Sequence, residues 1–264
     1  MVLLNRSARG VKPTAAGEAL YREATEVLAR VARIPEVVRY TGGELSGAVS
    51  LGMSTTLAAQ MGGALLKDCK ARLPLVTPSF VADDSATLKT RIAAGTLDLA
   101  ILFDEQLSPE VGYKPLFRQR LFLVDGKAQP GHRKTIALQR IAELDLVLPG
   151  PANVVRQQLD ARFAAEGLTP RVVAEANELH AMLAAVQSGL GATILPLGGF
   201  DGSLGKGPLT ATLIEPPIEH TARVVWSSSR PLSRAGEAVR ALLTPFVHGF
   251  IEAQHPPGMV RIDD

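Results

Sequence analysis

The 264 residues are 46% hydrophobic and 20% charged, with a formal net charge of +2, a balance that excludes a disordered chain and any strong global pull toward nucleic acid or membrane. The single cysteine excludes an internal disulfide and a cysteine-based metal cluster, and no apolar run approaches the ~18–20 residues of a membrane-spanning helix. Leu3-Leu4 runs straight into Asn5-Arg6, unlike the charged-then-apolar order of a signal peptide, so a reduced, cytoplasmic setting is expected.

Charge is uneven at the start of the chain. Arg6, Arg9 and Lys12 precede the first acidic residue, Glu18, which places them to contact phosphates. Residues 14–41 then follow a helical pattern: Leu20, Ala24, Val27, Val31, Ile34 and Val38 form a heptad-like stripe. Thr14 is the expected N-cap, and Glu18–Arg22 and Glu26–Arg30 are pairs four apart in the favourable order. A second copy of the helix is the expected cover for the stripe; folding back onto the chain's own domain is the alternative. Pro35 should kink or interrupt the helix, and Gly42-Gly43 should end it at a hinge.

From residue 47 strands and helices alternate. Residues 47–53 read as a buried strand, 57–72 as a helix, 77–83 as a strand, 85–94 as a helix and 97–103 as a strand. This βαβαβ order requires a parallel sheet with right-handed crossovers. Two extended segments follow at 112–117 and 121–124. The alternation restarts with a helix near 138–144, a strand at 146–149, a helix at 153–166, a strand at 171–174, a helix at 178–187 and a strand at 192–196. A glycine-rich loop, 198–207, leads to strands near 209–214 and 221–228, a last helix over about 233–251, and a loose tail, 255–264. The expected fold class is α/β, with two Rossmann-like subdomains: about 47–118 with 219–254, and about 119–218. Residues 1–13 and a helix-plus-hinge segment, 14–46, come before them.

The first strand-to-helix loop, "MSTTLAA", gathers Ser54, Thr55 and Thr56 at a strand's C-terminal end and a helix's N-terminus. Ligands collect at that position in open α/β sheets, and the helix end favours an anion. One hydroxyl alone would suffice as a cap, so three exceed what capping needs. The matching places in the second unit hold Asn153 and Asn177, and Asn177 could both cap the next helix and face the cleft. His180 reads as packed or solvated, and the five histidines lack ligand-like spacing, so no metal is expected. "SGLGATILP" has Ile194 where the dinucleotide fingerprint needs glycine, and "GSLGKG" lacks the first P-loop glycine and its Ser or Thr. With no nucleophile–base–orienter set, no catalytic residue, no enzyme and no cofactor are expected; a small anionic ligand is.

"LLNRSARGVKPTAAGEALYREATEVL" resembles the wing and linker helix of LysR-type transcriptional regulators. "GELSGAVSLGM", "AAGTLDLAILF", "LFLVDG" and "VQSGLGATILP" resemble successive landmarks of their effector domain, with spacing similar to the nitrogen-assimilation-control branch. The resemblance runs from residue 3 to about residue 251. It implies a periplasmic-binding-protein-like effector domain with a small molecule in its cleft, dimers through the linker helix, tetramers through effector domains, and promoter binding by a winged helix-turn-helix. By the same resemblance, residues 1–13 are the remnant of the wing, with Arg6, Arg9 and Lys12 on phosphates. Leu20, Ala24, Val27, Val31 and Ile34 are dimer contacts; Ser54, Thr55, Thr56, Asn153 and Asn177 bind effector; and Asp98 is structural. Pro13 and Pro35 depart from the family pattern. The family implies about fifty further residues upstream, including a recognition helix, without which wing contacts position a protein but do not specify sequence. The reading is a LysR-type regulator. A stand-alone effector-binding and dimerising module that does not bind DNA is the alternative, with a periplasmic solute-binding protein and an enzyme ranked below it.

Overall fold

The structure is a computed structural model and describes residues 1–7, 10–38, 45–103, 108–126, 135–197 and 209–262. The chain opens with an antiparallel ribbon of β1 (Leu4–Ser7) and β2 (Gly10–Pro13). Thr14 caps α1 (Ala15–Val38): its hydroxyl accepts from the Gly17 N–H at 3.0 Å and its carbonyl from the Glu18 N–H at 2.9 Å. Position 35 lies inside α1, so Pro35 does not interrupt the helix as the sequence led us to expect. It falls in the last turn, where the lost donor leaves few further backbone bonds to break. The expected Gly42-Gly43 hinge and the glycine-rich loop 198–207 lie outside the described residues.

The first subdomain is built on β3 (Gly47–Ser54), β4 (Val76–Asp83) and β5 (Leu99–Phe103), all parallel, in the order β4-β3-β5. Helices α2 (Thr55–Leu57) and α3 (Gly63–Arg72) form one run through a π turn at Ala58–Gly62, and α4 (Ser85–Ala94) joins β4 to β5. Val49, Leu51 and Met53 alternate inward from β3 and are fully buried among Leu57, Met61 and Leu65, each worth about 1.5–3 kcal/mol by area removed from water. Asp98 staples β3 to the head of β5: its Oδ2 accepts from the Ser50 N–H at 2.9 Å and the Ser50 hydroxyl at 2.7 Å.

One strand ties the two subdomains together. β6 (Val111–Asp125) is a single 15-residue strand where the sequence reads as two segments. The polar interruption is paired rather than looped out: Gln119 is fully buried, and Arg118 and Arg120 reach Glu219 at 3.5 and 2.9 Å. The first half of β6 pairs with β12 (Glu219–Ser227), which also flanks β5; the second half pairs with β10 (Thr193–Pro196) and β11 (Thr210–Glu215). The rest of the second subdomain comprises β7 (Thr135–Ala137), α5 (Leu138–Ala142), β8 (Asp145–Leu148), α6 (Val154–Ala165), β9 (Arg171–Glu175) and α7 (Leu179–Gln187). Its core centres on Leu121, Leu123, Leu146, Leu159, Phe163 and Ile194.

After α8 (Arg234–Gln254) the chain is not loose. β13 (Met259–Arg261) pairs antiparallel with β6 at residues 117–119, and Met259 is buried. The chain turns back at Gly258, whose φ of +76° favours glycine; a Cβ there would lie 2.6 Å from Phe122 Cε2. The Gln119 side-chain amide donates to the Pro257 carbonyl at 3.2 Å, and the Arg120 N–H to the Gly258 carbonyl at 2.9 Å. Among the described residues, no helix is long and apolar enough to cross a membrane.

Candidate functional site

β3 and β4 end side by side, with Ser54 the register partner of Asp83, and each strand leads directly into a helix. At these ends a cavity of about 80 Å³ lies between the subdomains. A single water needs ~10–15 Å³, so there is room for a molecule of several non-hydrogen atoms. One lip carries Ser54, Thr55, Thr56 and Asp84; the other carries Asn153 and Asn177. Phe103, Met182, Ile194 and Leu195 form an apolar wall.

Ser54 is 7% exposed and makes no capping hydrogen bond, and its Oγ has no hydrogen-bond partner. Simple capping, the alternative explanation for a hydroxyl here, therefore does not account for Ser54. A buried hydroxyl left unpaired costs about 1–3 kcal/mol, so a polar partner in the cavity would be stabilising. Thr55 and Thr56 are half-buried in the first helical turn, where N–H groups have no acceptor within the helix.

The asparagines on the opposite lip have different jobs. Asn153 caps α6, accepting from the Val155 and Arg156 N–H groups at 2.9 and 3.3 Å. Asn177 does not cap α7. Glu178 does, accepting from the Ala181 N–H at 2.8 Å, and that bond, followed by one from His180, holds the Glu178 carboxyl below its usual range. A carboxylate beside a helix N-terminus outcompetes a neutral amide for this place. Asn177 Oδ1 instead accepts from the Gly150 N–H at 2.9 Å and staples together the two loops of its lip. His180 is exposed, 3.1 Å from Glu178, and takes no part in the cavity.

Asp84, the residue after β4, has two roles. It caps α4, its two oxygens accepting from the Thr87 N–H at 2.9 Å and the Thr87 hydroxyl at 2.7 Å, and it also lines the cavity. Burial alone would raise its pKa; hydrogen bonds from Thr87 and Ala86 outweigh this and hold it below the ordinary value, so it is ionised. Only the Ser54–Asp83 register shows that these two loops are neighbours. Among the described residues, no Lys or Arg lines the cavity, and no group of three His, Cys, Asp or Glu is placed to hold a metal ion. A wider trough of about 330 Å³ runs between α3 and α8, but it is a surface channel away from the strand ends.

Outside the cleft, Arg6 pairs with Val11 and Lys12 with Asn5 across the β1–β2 ribbon. Alternation along a strand therefore sets the two exposed cations on opposite faces. Arg9 lies outside the described residues. On α1, Leu20, Val27 and Val31 are 49%, 57% and 53% exposed and Ala24 is half-buried; the side chain of Ile34 lies outside the described set. The chain's own domain thus leaves much of the apolar stripe uncovered.

Two α/β lobes sharing a strand around a cleft define a domain of the periplasmic-binding-protein-like class. Residues 42–246 match the LysR substrate binding domain, and the chain belongs to the LysR family of transcriptional regulators. Over 247 residues it is 29% identical to the nitrogen assimilation regulatory protein nac of Klebsiella aerogenes, covering 93% of this chain and 80% of that one. The nac protein of Escherichia coli (strain K12) is 31% identical over 195 residues, covering 74% of this chain and 63% of its relative, so the match spans less than two thirds of that protein. The solved structure of the Corynebacterium glutamicum OxyR C206 mutant superposes with a TM-score of 0.72 at 21% identity, covering 95% of this chain and 79% of that one. The curated relatives are transcriptional regulators, not enzymes.

Proposed function

We propose that this chain is the linker and effector-sensing part of a cytoplasmic LysR-type regulator that binds a small anionic effector in its cleft without a further cofactor. Ser54, Thr55 and Thr56 would hold the anion, and Asn153 and Asn177 would close on it from the other lip. The observation that carries this reading is the Ser54 hydroxyl, buried and unpartnered beside a helix N-terminus at the strand ends. Effector binding would shift the population between open and closed arrangements of the lobes, which pivot where β6 and β12 cross.

The α1 stripe supports a homodimer, with further pairing to a tetramer through effector domains. In the complete regulator Arg6, Arg9 and Lys12 would contact promoter phosphates, a weak and salt-sensitive contribution beside the recognition helix that family membership implies. The test is thermal stabilisation by small organic acids. Replacing Thr55 and Thr56 with valine should abolish the ligand-dependent rise in Tm. A rise that persists unchanged in the double variant would place the ligand elsewhere.

A further inference from the structure

Resting on the reading of the cleft as effector site, we infer that it selects an acid with a single carboxylate, a short apolar body and a hydrogen-bond donor, hydroxyl or ammonium, on the carbon next to the carboxylate. Three observations lead there. The place for one negative charge is the Ser54 lip: an unpartnered hydroxyl on a residue only 7% exposed, at the start of the helical run from Thr55 to Arg72. A helix N-terminus supplies the equivalent of about half a positive charge, and among the described lining residues no Lys or Arg adds to it. Asn153 and Asn177 contribute neutral amides. That suits a monoanion and leaves a second negative group without a counter-charge.

The second observation is Asp84. Its ionised carboxylate sits on the same lip and repels a dianion, yet with donors from Thr87 and Ala86 on its helix side it keeps capacity to accept another, since a carboxylate has about four lone-pair sites. Ser54 and Asp83 are register partners on neighbouring strands, about 4.8 Å apart, and Asp84 is the next residue. A ligand whose carboxylate meets Ser54 would therefore bring a donor on its adjacent carbon toward Asp84. The third observation is the wall of Phe103, Met182, Ile194 and Leu195 around about 80 Å³, which fits a small branched hydrocarbon end and excludes a long one.

The experiment is calorimetric titration of the whole chain with four probes: isovalerate, 2-hydroxyisovalerate, valine and 2-methylsuccinate. The expected order puts 2-hydroxyisovalerate or valine about threefold or more tighter than isovalerate, with the dianion 2-methylsuccinate weakest. Asp84→Asn keeps a competent helix cap and should bring the ratio between the 2-substituted acid and isovalerate close to one. The inference is overturned if 2-methylsuccinate binds as tightly as the monocarboxylates, or if the ratio survives Asp84→Asn. The Thr55→Val/Thr56→Val variant separates this from the cleft reading itself. Binding that depends on the threonines but favours the dianion overturns the ligand class alone; failure of all four probes to bind, or binding indifferent to the threonines, overturns both.

Discussion

Ser54 and His220 are both buried polar residues with an unpartnered side-chain atom, and their surroundings give them opposite meanings. Ser54 borders a cavity; His220 is sealed on β12 with the Phe103 ring 5.7 Å away. Burial pulls the His220 pKa from 6.5 down to about 4, so the imidazole is neutral in the fold near pH 7. An unfolded chain takes up this proton near pH 6.5 but the fold only near pH 4, so stability should fall as pH drops through that window. Across the whole window the loss is on the order of 3 kcal/mol. Tm measured between pH 7.5 and 5 should decline, and His220→Leu should flatten that slope; an unchanged slope would show that another group dominates. Asp84 and Glu178, both held low, add their loss only at more acidic pH. At this scale Thr14 was legible as a cap because a cap is a local pattern. The roles of Asn177 and Asp84 were not, because one staples a residue 27 positions away and the other depends on strand register.

Among the elements, α1 and β13 make the sharpest predictions. The exposed stripe of α1 needs an apolar cover, so Val31→Asp should convert a dimer to monomers in sedimentation without lowering the Tm of the effector domain. A dimer that survives the change would move the interface elsewhere. β13 straps the stretch of β6 where it passes between subdomains, and its turn has no space for a Cβ at Gly258. Gly258→Ala should cost about 1–3 kcal/mol in urea unfolding; a neutral result would mean the strap contributes little. Helix and strand alternation made most of the central elements readable. The tail and the middle of β6 escaped notice because their polar residues find partners across strands: the Gln119 amide N–H donates to the Pro257 carbonyl, and Arg118 and Arg120 pair with Glu219. A single-sequence pattern carries no trace of those partners.

For the molecule as a whole, the βαβ rhythm predicts two parallel-sheet lobes, but not that β12 returns antiparallel between β5 and β6. That return brings the chain back into the first lobe and leaves the cleft spanned by paired strands, an arrangement suited to hinge motion. The family resemblance, stated on short motifs, matches the domain found over residues 42–246. The central claim is that one small acid contacts both lips at once. Hydrogen–deuterium exchange of the whole chain, with and without saturating 2-hydroxyisovalerate, tests it most directly. The account predicts slowed exchange at residues 54–57 and at residues 152–156 and 177–179 together. Protection confined to one lobe, or centred on the trough between α3 and α8, would contradict it.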